Sequence, residues 1–341
     1  MTTRVLPVWD GDRLTYVRPM AVIKALGYEP TYENLPESDA ARERMYARVP
    51  EQDGSVDGVP AARPPRDARA ATDIVVAWAR ELGADDVGVA RVDERYVYDG
   101  ADLAHRFAIV VAMAMDYREI AAAPSARTNS DVMRVYATLA DLTIELARRI
   151  RSLGVPARAH TLAHEDLAFI PHAVAAGLGE LGKHGSLLHP RLGASFRLAV
   201  VTTDLPLMVD SPTSERVADL CLNCSLCVSH CPGDAISHEQ VLVRGERRWI
   251  VDTDRCAPYW ATYHACAICL QVCPWNARPA GGPVRELYIR TMKGIDRTAR
   301  RAELRAGVGA RVRAPAIELA RTADARRRRA PAQSDERGDP R

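Results

Sequence analysis

Apolar positions along this chain alternate between short unbroken runs and helical stripes, and the pattern changes character three times. Residues 1 to about 69 are rich in proline and charge with few periodic apolar positions, and Gly54–Arg69 (GSVDGVPAARPPRDAR) reads as a linker. From Ala70 the pattern becomes globular. Ile74, Val75, Trp78 and Leu82 recur at helical spacing across Ala70–Leu82, with Gly83 as the C-cap. Asp86–Val92 and Phe107–Met115 are short apolar runs that predict buried strands. The clearest helix is Ser130–Leu153, where Val132, Val135, Leu139, Leu142, Leu146, Ile150 and Leu153 form one stripe. Ser130 is placed to cap it, Gly154 to end it, and Tyr136 lies beside the stripe, one turn from Val132 and Leu139. Val155–His160 and Ser195–Thr203 predict further strands, and Pro171–Gly179 a helix. Helices alternating with apolar strands imply an α/β (α+β) layered fold.

Further on, Val241–Val243 and Arg248–Val251 flank the polar stretch Arg244–Arg247 as a hairpin. Beyond Pro283 one short helix, Val284–Met292, precedes an Arg/Ala-rich tail without aromatics or sizeable apolar faces, which reads as mostly disordered. The chain thus divides into an N-terminal extension (1–69), an α/β core (70–215), a cysteine-rich domain (216–280) and a short helix with a basic tail (281–341).

A length of 341 residues allows two domains and a sizeable core. The net charge of +2 is unevenly spread: from Gly281 onward sixteen Arg/Lys face eight Asp/Glu, a net of +8 that leaves −6 for the rest. Without aromatic interleaving, that tail reads as solvated and not as a nucleic-acid binder. The first residues show no basic region followed by an apolar run and no twin-arginine pair, and the longest apolar stretch, Phe107–Met115, is too short to span a bilayer. The expectation is a soluble, cytoplasmic protein with no membrane contact.

All eight cysteines fall in two runs, Cys221-x2-Cys224-x2-Cys227-x3-Cys231-Pro232 and Cys256-x9-Cys266-x2-Cys269-x3-Cys273-Pro274. That spacing suits two [4Fe–4S] clusters, and in two-cluster ferredoxins the fourth cysteine of each run crosses to the other cluster. Cluster one is therefore assigned Cys221, Cys224, Cys227 and Cys273, and cluster two Cys256, Cys266, Cys269 and Cys231. Zinc is a poor match to two C-x2-C…C-x3-C-P runs, and disulfides would require export. Two clusters alone make an electron wire, so a non-enzymatic electron-transfer protein is one reading.

Gly177–Gly182 (GLGELG) matches G-x-G-x-x-G formally, but a helical stretch precedes it, which excludes the dinucleotide reading. It reads instead as a tight loop admitting a large planar ligand. His160, His164, His172, His184 and His189 cluster in sequence without a metal-binding frame and read as core or pocket-lining histidines, with His184, beside Lys183, the one placed to touch a ligand.

GLGELGKHGSLLHPRLG, followed by FRLAVVTTDLPL, closely resembles the block before the clusters in corrinoid-dependent reductive dehalogenases. DRCAPYWATYHACAICLQVCPWN resembles their second cluster motif, and AIVVAMAMDYREIAAAP and IRSLGVPARAH are also similar to that family. The resemblance spans about Ala70 to Asn276 and extends to the epoxyqueuosine reductases of the same superfamily. It implies a cobalamin held base-off over a nitroreductase-like core, fed with electrons by a ferredoxin-like domain carrying the two [4Fe–4S] clusters. The candidate corrinoid-facing stretch is Gly177, Gly179, Gly182, His184, Gly185 and Ser186. In the dehalogenases a tyrosine near the start of the long helix protonates the product, which points to Tyr136, with Arg197, or second Lys183, as the neighbouring cation. Epoxyqueuosine reductases carry an aspartate there, which keeps Asp131 and a tRNA substrate as the alternative. The reading is then an oxidoreductase acting on a small organohalide, aromatic in type. With no fused reductase module evident, it takes electrons from an external donor, a ferredoxin, flavodoxin or reductase.

Anaerobic reconstitution with iron, sulfide and hydroxocobalamin is expected to load about eight irons and about one cobalt. Iron without retained cobalt would reduce the protein to an electron carrier.

Overall fold

The computed structural model describes residues 30–54, 56, 64–65, 67–98, 100–214, 216–243, 246–276 and 282–312, with a strand pair at Trp9–Asp10 and Arg13–Leu14. Four strands, β1 (Asp86–Arg91), β2 (Phe107–Ala114), β3 (Ala157–His160) and β4 (Phe196–Thr203), form one sheet in the order β1-β2-β4-β3. Every pairing is antiparallel, with Met113 opposite Arg197 and Val111 opposite Ala199. The strands read as unbroken apolar runs because both faces of the sheet are covered. On one face Val89, Ile109, Val111 and Val201 pack against Val75 and Ala79 of one helix and Val135, Leu139 and Leu146 of a second. On the other, Ala108, Val110, Ala112 and Val200 meet Ala173, Ala176 and Leu178.

The helices that build these layers are α1 (Pro36–Ala47), α2 (Ala68–Glu81), α3 (Ala126–Arg151) and α4 (Phe169–Ala175). Helix α3 starts four residues before the expected cap. Ser125, not Ser130, accepts the Thr128 N–H (3.2 Å). The first turn is polar yet interior: Thr128 bonds the Glu119 carbonyl and Asn129 the side chains of Asn34 and Ser38, so it adds nothing to the apolar stripe. Helix α1 carries little apolar periodicity and lies against α3, where Met45 meets Ala137 and Ala140. The linker reading of Gly54–Arg69 falls for the most part outside the described residues.

The cysteine-rich domain is built from α5 (Val217–Cys224), α6 (Leu226–His230), α7 (Thr253–Thr262) and α8 (Ile268–Gln271). Its hairpin pairs Val241–Val243 with Glu246–Arg248, two residues earlier than expected. Residues 249–251 are taken instead by the domain interior, with Trp249 buried and Ile250 exchanging hydrogen bonds with Ser237.

Two helices follow, α9 (Gly282–Gly294) and α10 (Thr298–Val312). The expectation of disorder is wrong for α10, and residues 313–341 lie outside the described residues. Helix α10 is held by Leu304, Val308 and a set of arginine bonds to main-chain carbonyls. Arg301 donates to Ser229 O (3.2 Å) and Arg305 to Pro232 O (2.8 Å), both also reaching Asp234, while Tyr263 O–H donates to Leu304 O (2.9 Å). Among the described residues no helix is long and apolar enough to cross a membrane.

One buried side chain joins the two halves. Asn276 Oδ1 accepts the Ala194 N–H and the Ser195 hydroxyl, both at 2.9 Å, and its Nδ2 donates to Leu270 O. Replacing it with alanine leaves buried donors and an acceptor unpaired, each costing about 1–3 kcal/mol. Asn276→Ala is therefore expected to destabilise the protein by at least about 2 kcal/mol in urea unfolding. A loss under about 0.5 kcal/mol would show that the clasp is dispensable.

Candidate active site

The eight thiols are all free and form two groups. Cys221, Cys224, Cys227 and Cys273 line a small cavity together with Lys183, Ser225 and Trp275. Cys231, Cys256, Cys266 and Cys269 line the floor of a much larger cavity. The fourth cysteine of each run thus lies with the first three of the other run. The backbone makes this possible by leaving the helical region at Ser225 (φ 54°) between Cys224 and Cys227. It does so again across His264, Ala265, Cys266 and Ala267, four consecutive residues with φ between 47° and 64°. Non-glycine residues adopt that region at a cost, and a run of four is the kind of strain that collects at ligand clamps. Burial pushes the thiols up, Cys227 and Cys256 to about 12 and Cys266 to about 11. A cationic iron–sulfur core held by the four thiols of each group would offset this cost of burying thiolates. Among the described residues no three His, Cys, Asp or Glu side chains are set to hold a single metal ion.

The larger cavity, about 760 Å³, lies between tetrad two, α3 and the end of β4. Tyr136 projects into it from α3, and Arg197 from β4 lays its guanidinium 5.5 Å from the centre of the Tyr136 ring. Burial raises the phenol above its ordinary range, partly offset by the Arg197 cation. Arg197 donates through Nη1 to Phe196 O (3.1 Å), while its Nε is buried with no protein partner. Val132, Met133 and Leu162 supply apolar wall. The roof was not anticipated from sequence: Pro30, Tyr32, Asn34 and Met45 close the cavity from the N-terminal segment.

Other candidates separate. His184, Gly185 and Ser186 line the large cavity. His184 Nδ1 accepts the Ser186 N–H (3.1 Å), its Nε2 is buried without a partner, and burial lowers its pKa to about 4. A second cavity, about 820 Å³, meets the first at His184, Gly185 and Val251. Gly185 (φ 79°) admits no side chain because a Cβ would stand 2.8 Å from Val251. Gly177 and Gly179 do not line the large cavity. A Cβ on them would collide with the Ser211 and Leu188 carbonyls at 2.5 and 2.3 Å, so those glycines admit the protein's own backbone. Gly182 likewise packs on Leu188 and His184. Lys183 sits with tetrad one, away from Tyr136. Asp131 is also absent from the large cavity, its carboxylate accepting the Asp116 N–H (2.9 Å) and pairing with Arg134 (2.6 Å). His160, His172 and His189 are core residues bonded to Thr202, Ala168 O and Asp86.

Residues 220–277 match the 4Fe-4S dicluster domain family. A tetrachloroethene reductive dehalogenase of Desulfitobacterium hafniense is 34% identical over 181 residues, 49% of this chain and 32% of that protein. An epoxyqueuosine reductase of Leadbetterella byssophila is 32% identical over 130 residues, 33% of this chain and 38% of that protein. The solved structure of the catabolic reductive dehalogenase NpRdhA in complex with 3-bromo-4-hydroxybenzoic acid superposes with a TM-score of 0.66 at 27% identity, covering 80% of this chain and 41% of that one. The chain thus spans about a third of the length of the Desulfitobacterium enzyme it matches. In sequence and in fold the chain is similar to reductive dehalogenases, and over a shorter stretch of sequence to epoxyqueuosine reductases.

Proposed function

We propose that this chain is a corrinoid-dependent reductase that removes halide from an aromatic organohalide. The observation that carries the reading is the Arg197 guanidinium lying 5.5 Å from the Tyr136 ring in a cavity floored by tetrad two. The relatives support it, being named for the dehalogenation of tetrachloroethene and, for one solved structure, for B12-dependent dehalogenation.

The residues fit the cofactors. The two cysteine tetrads match the donor set of [4Fe–4S] clusters. The two joined cavities, of about 760 and 820 Å³, offer apolar wall with the unpartnered His184 Nε2 and Arg197 Nε. His184, Gly185 and Ser186 would hold the corrinoid at the junction. When bound, the clusters supply single electrons and the reduced corrinoid supplies the reducing power that breaks the carbon–halogen bond.

This chain's own residues supply the rest. Two electrons and one proton convert a carbon–halogen bond into a carbon–hydrogen bond and free halide. Tyr136 holds that proton on its phenol oxygen at neutral pH, because burial raises its pKa. Arg197 stabilises the phenolate left behind and offers Nε–H to a departing anion. Val132, Met133 and Leu162 exclude water, which strengthens both interactions. The electrons come from an external one-electron donor and the substrate is a small molecule. The tRNA alternative asks for an aspartate at the cavity, and Asp131 is occupied elsewhere.

Tyr136→Phe is expected to slow dehalogenation of 3-bromo-4-hydroxybenzoate by about 100-fold or more with iron and cobalt content unchanged. Activity within about twofold of wild type would remove Tyr136 as the acid. In the wild type the raised phenol pKa keeps the acid protonated, so no alkaline decline is expected between about pH 7 and about pH 9. The crossed tetrads give a separate test by electron paramagnetic resonance. Cys231→Ala should disturb the same cluster signal as Cys266→Ala, and Cys273→Ala the same as Cys224→Ala. The opposite pairing would undo the assignment.

A further inference from the structure

Lys183 is a cation with no place in the chemistry above. It is 2% exposed, and among the described residues the hydrogen-bond partner of its ammonium is Ser225 Oγ, at 2.9 Å. No carboxylate pairs with it among the described residues. The ammonium lies 5.4 Å from the centre of the Trp249 ring and shares the small cavity with the four thiols of tetrad one. The Lys183 main-chain N–H is also directed to the Cys221 sulfur.

A buried charge without a partner is costly enough that proteins pair it or lose it. Here Cys221, Cys224 and Cys227 all feel the Lys183 charge, and Glu180 is the carboxylate that acts on Cys221. The chain's usage of basic residues reinforces the point. Of its 46 Lys and Arg residues only three are lysines, at positions 24, 183 and 293. Two of those three address the same tetrad, Lys293 donating to the carbonyl of Asn223 (2.8 Å), next to Cys224. Among the described residues tetrad two has no such buried lysine, and a cation that acts on Cys266 is the exposed Arg300.

We propose that Lys183 is a redox-tuning residue: its buried ammonium neutralises the cluster held by Cys221, Cys224, Cys227 and Cys273 and raises that cluster's reduction potential. The inference rests on reading this tetrad as a [4Fe–4S] site. Four thiolates around a dicationic core sum to a dianion, and one electron from a low-potential donor makes it a trianion. In a dry interior the added charge is unfavourable, and a unit cation beside it offsets the cost. Lys183 thereby makes cluster one the easier of the two to charge from outside. Lys183 is a positioning residue in this sense, acting through the cluster and not on the substrate.

The test is a dithionite titration of the reconstituted full chain, followed by electron paramagnetic resonance, for wild type, Lys183→Met, Lys183→Gln, Lys183→Arg and Lys293→Gln. At the potential that half-reduces cluster one in the wild type, the two neutral Lys183 variants should show a reduced-to-oxidised ratio at least about tenfold lower. That corresponds to a shift of about 59 mV or more to negative potential. Cluster two should not move, and Lys293→Gln should shift cluster one less, because Lys293 is exposed and screened. Neutral variants with an unchanged cluster-one midpoint overturn the proposal. Should the neutral variants assemble only about four irons, recovery to about eight in Lys183→Arg supports a requirement for the charge, whereas failure of that variant too marks a role of shape and overturns it. A wild-type chain that takes up no iron overturns the cluster reading itself, and iron analysis reveals that before any titration.

Discussion

The buried carboxamide of Asn276 fixes the position of the cysteine domain on the sheet. It closes the second cysteine run and at the same time accepts bonds from Ala194 and Ser195, the residues that lead into β4. Arg197 is two residues further along that strand, and the Leu270 carbonyl that takes the other end of the carboxamide adjoins Cys269. This side chain thus ties the floor of the cavity to the strand that carries its cation. Side chains held on regular elements are placed more firmly than side chains on loops, and Tyr136 gains the same advantage from α3, whose stripe is packed into the sheet.

Much of this was legible because it obeys simple periods. The stripe of α3, the runs of β2 and β4 and the spacing of the cysteines each report one geometric rule, and the structure follows them to within a few residues. The crossed tetrads belong to the same class, since a C-x2-C-x2-C loop leaves the fourth ligand facing away from its own cluster. What stayed hidden had polar or main-chain causes. Helix α1 buries little besides Ser38 and Met45, so it shows no stripe. Helix α10 looked like a disordered tail because its anchors are arginines, residues normally counted as solvated. Its guanidinium groups instead donate to carbonyls around the Cys231–Asp234 turn, and part of the chain's basic excess is thereby turned inward.

The glycines carry a related lesson. GLGELG was read as a loop opened for a ligand, yet two of its glycines are pressed against the protein's own carbonyls, and only the neighbouring Gly185 faces the cavity. A glycine reports that something comes close without saying what. Lys183 shows the opposite: its place in the sequence puts it near the catalytic block, and its burial puts it beside tetrad one.

The roof over the cavity has a consequence for how the protein is made. The Thr31 N–H bonds the Ala261 carbonyl at 2.8 Å, a contact that spans 230 residues. Roof and floor of the same chamber are thus drawn from segments far apart in the sequence. During synthesis the early segment has nothing to close against until the last cysteines have left the ribosome, and long-range closure of this kind is intrinsically slow. The roof is therefore the last part of the chamber that can be completed, because its partner in the cysteine domain is made some 230 residues after it.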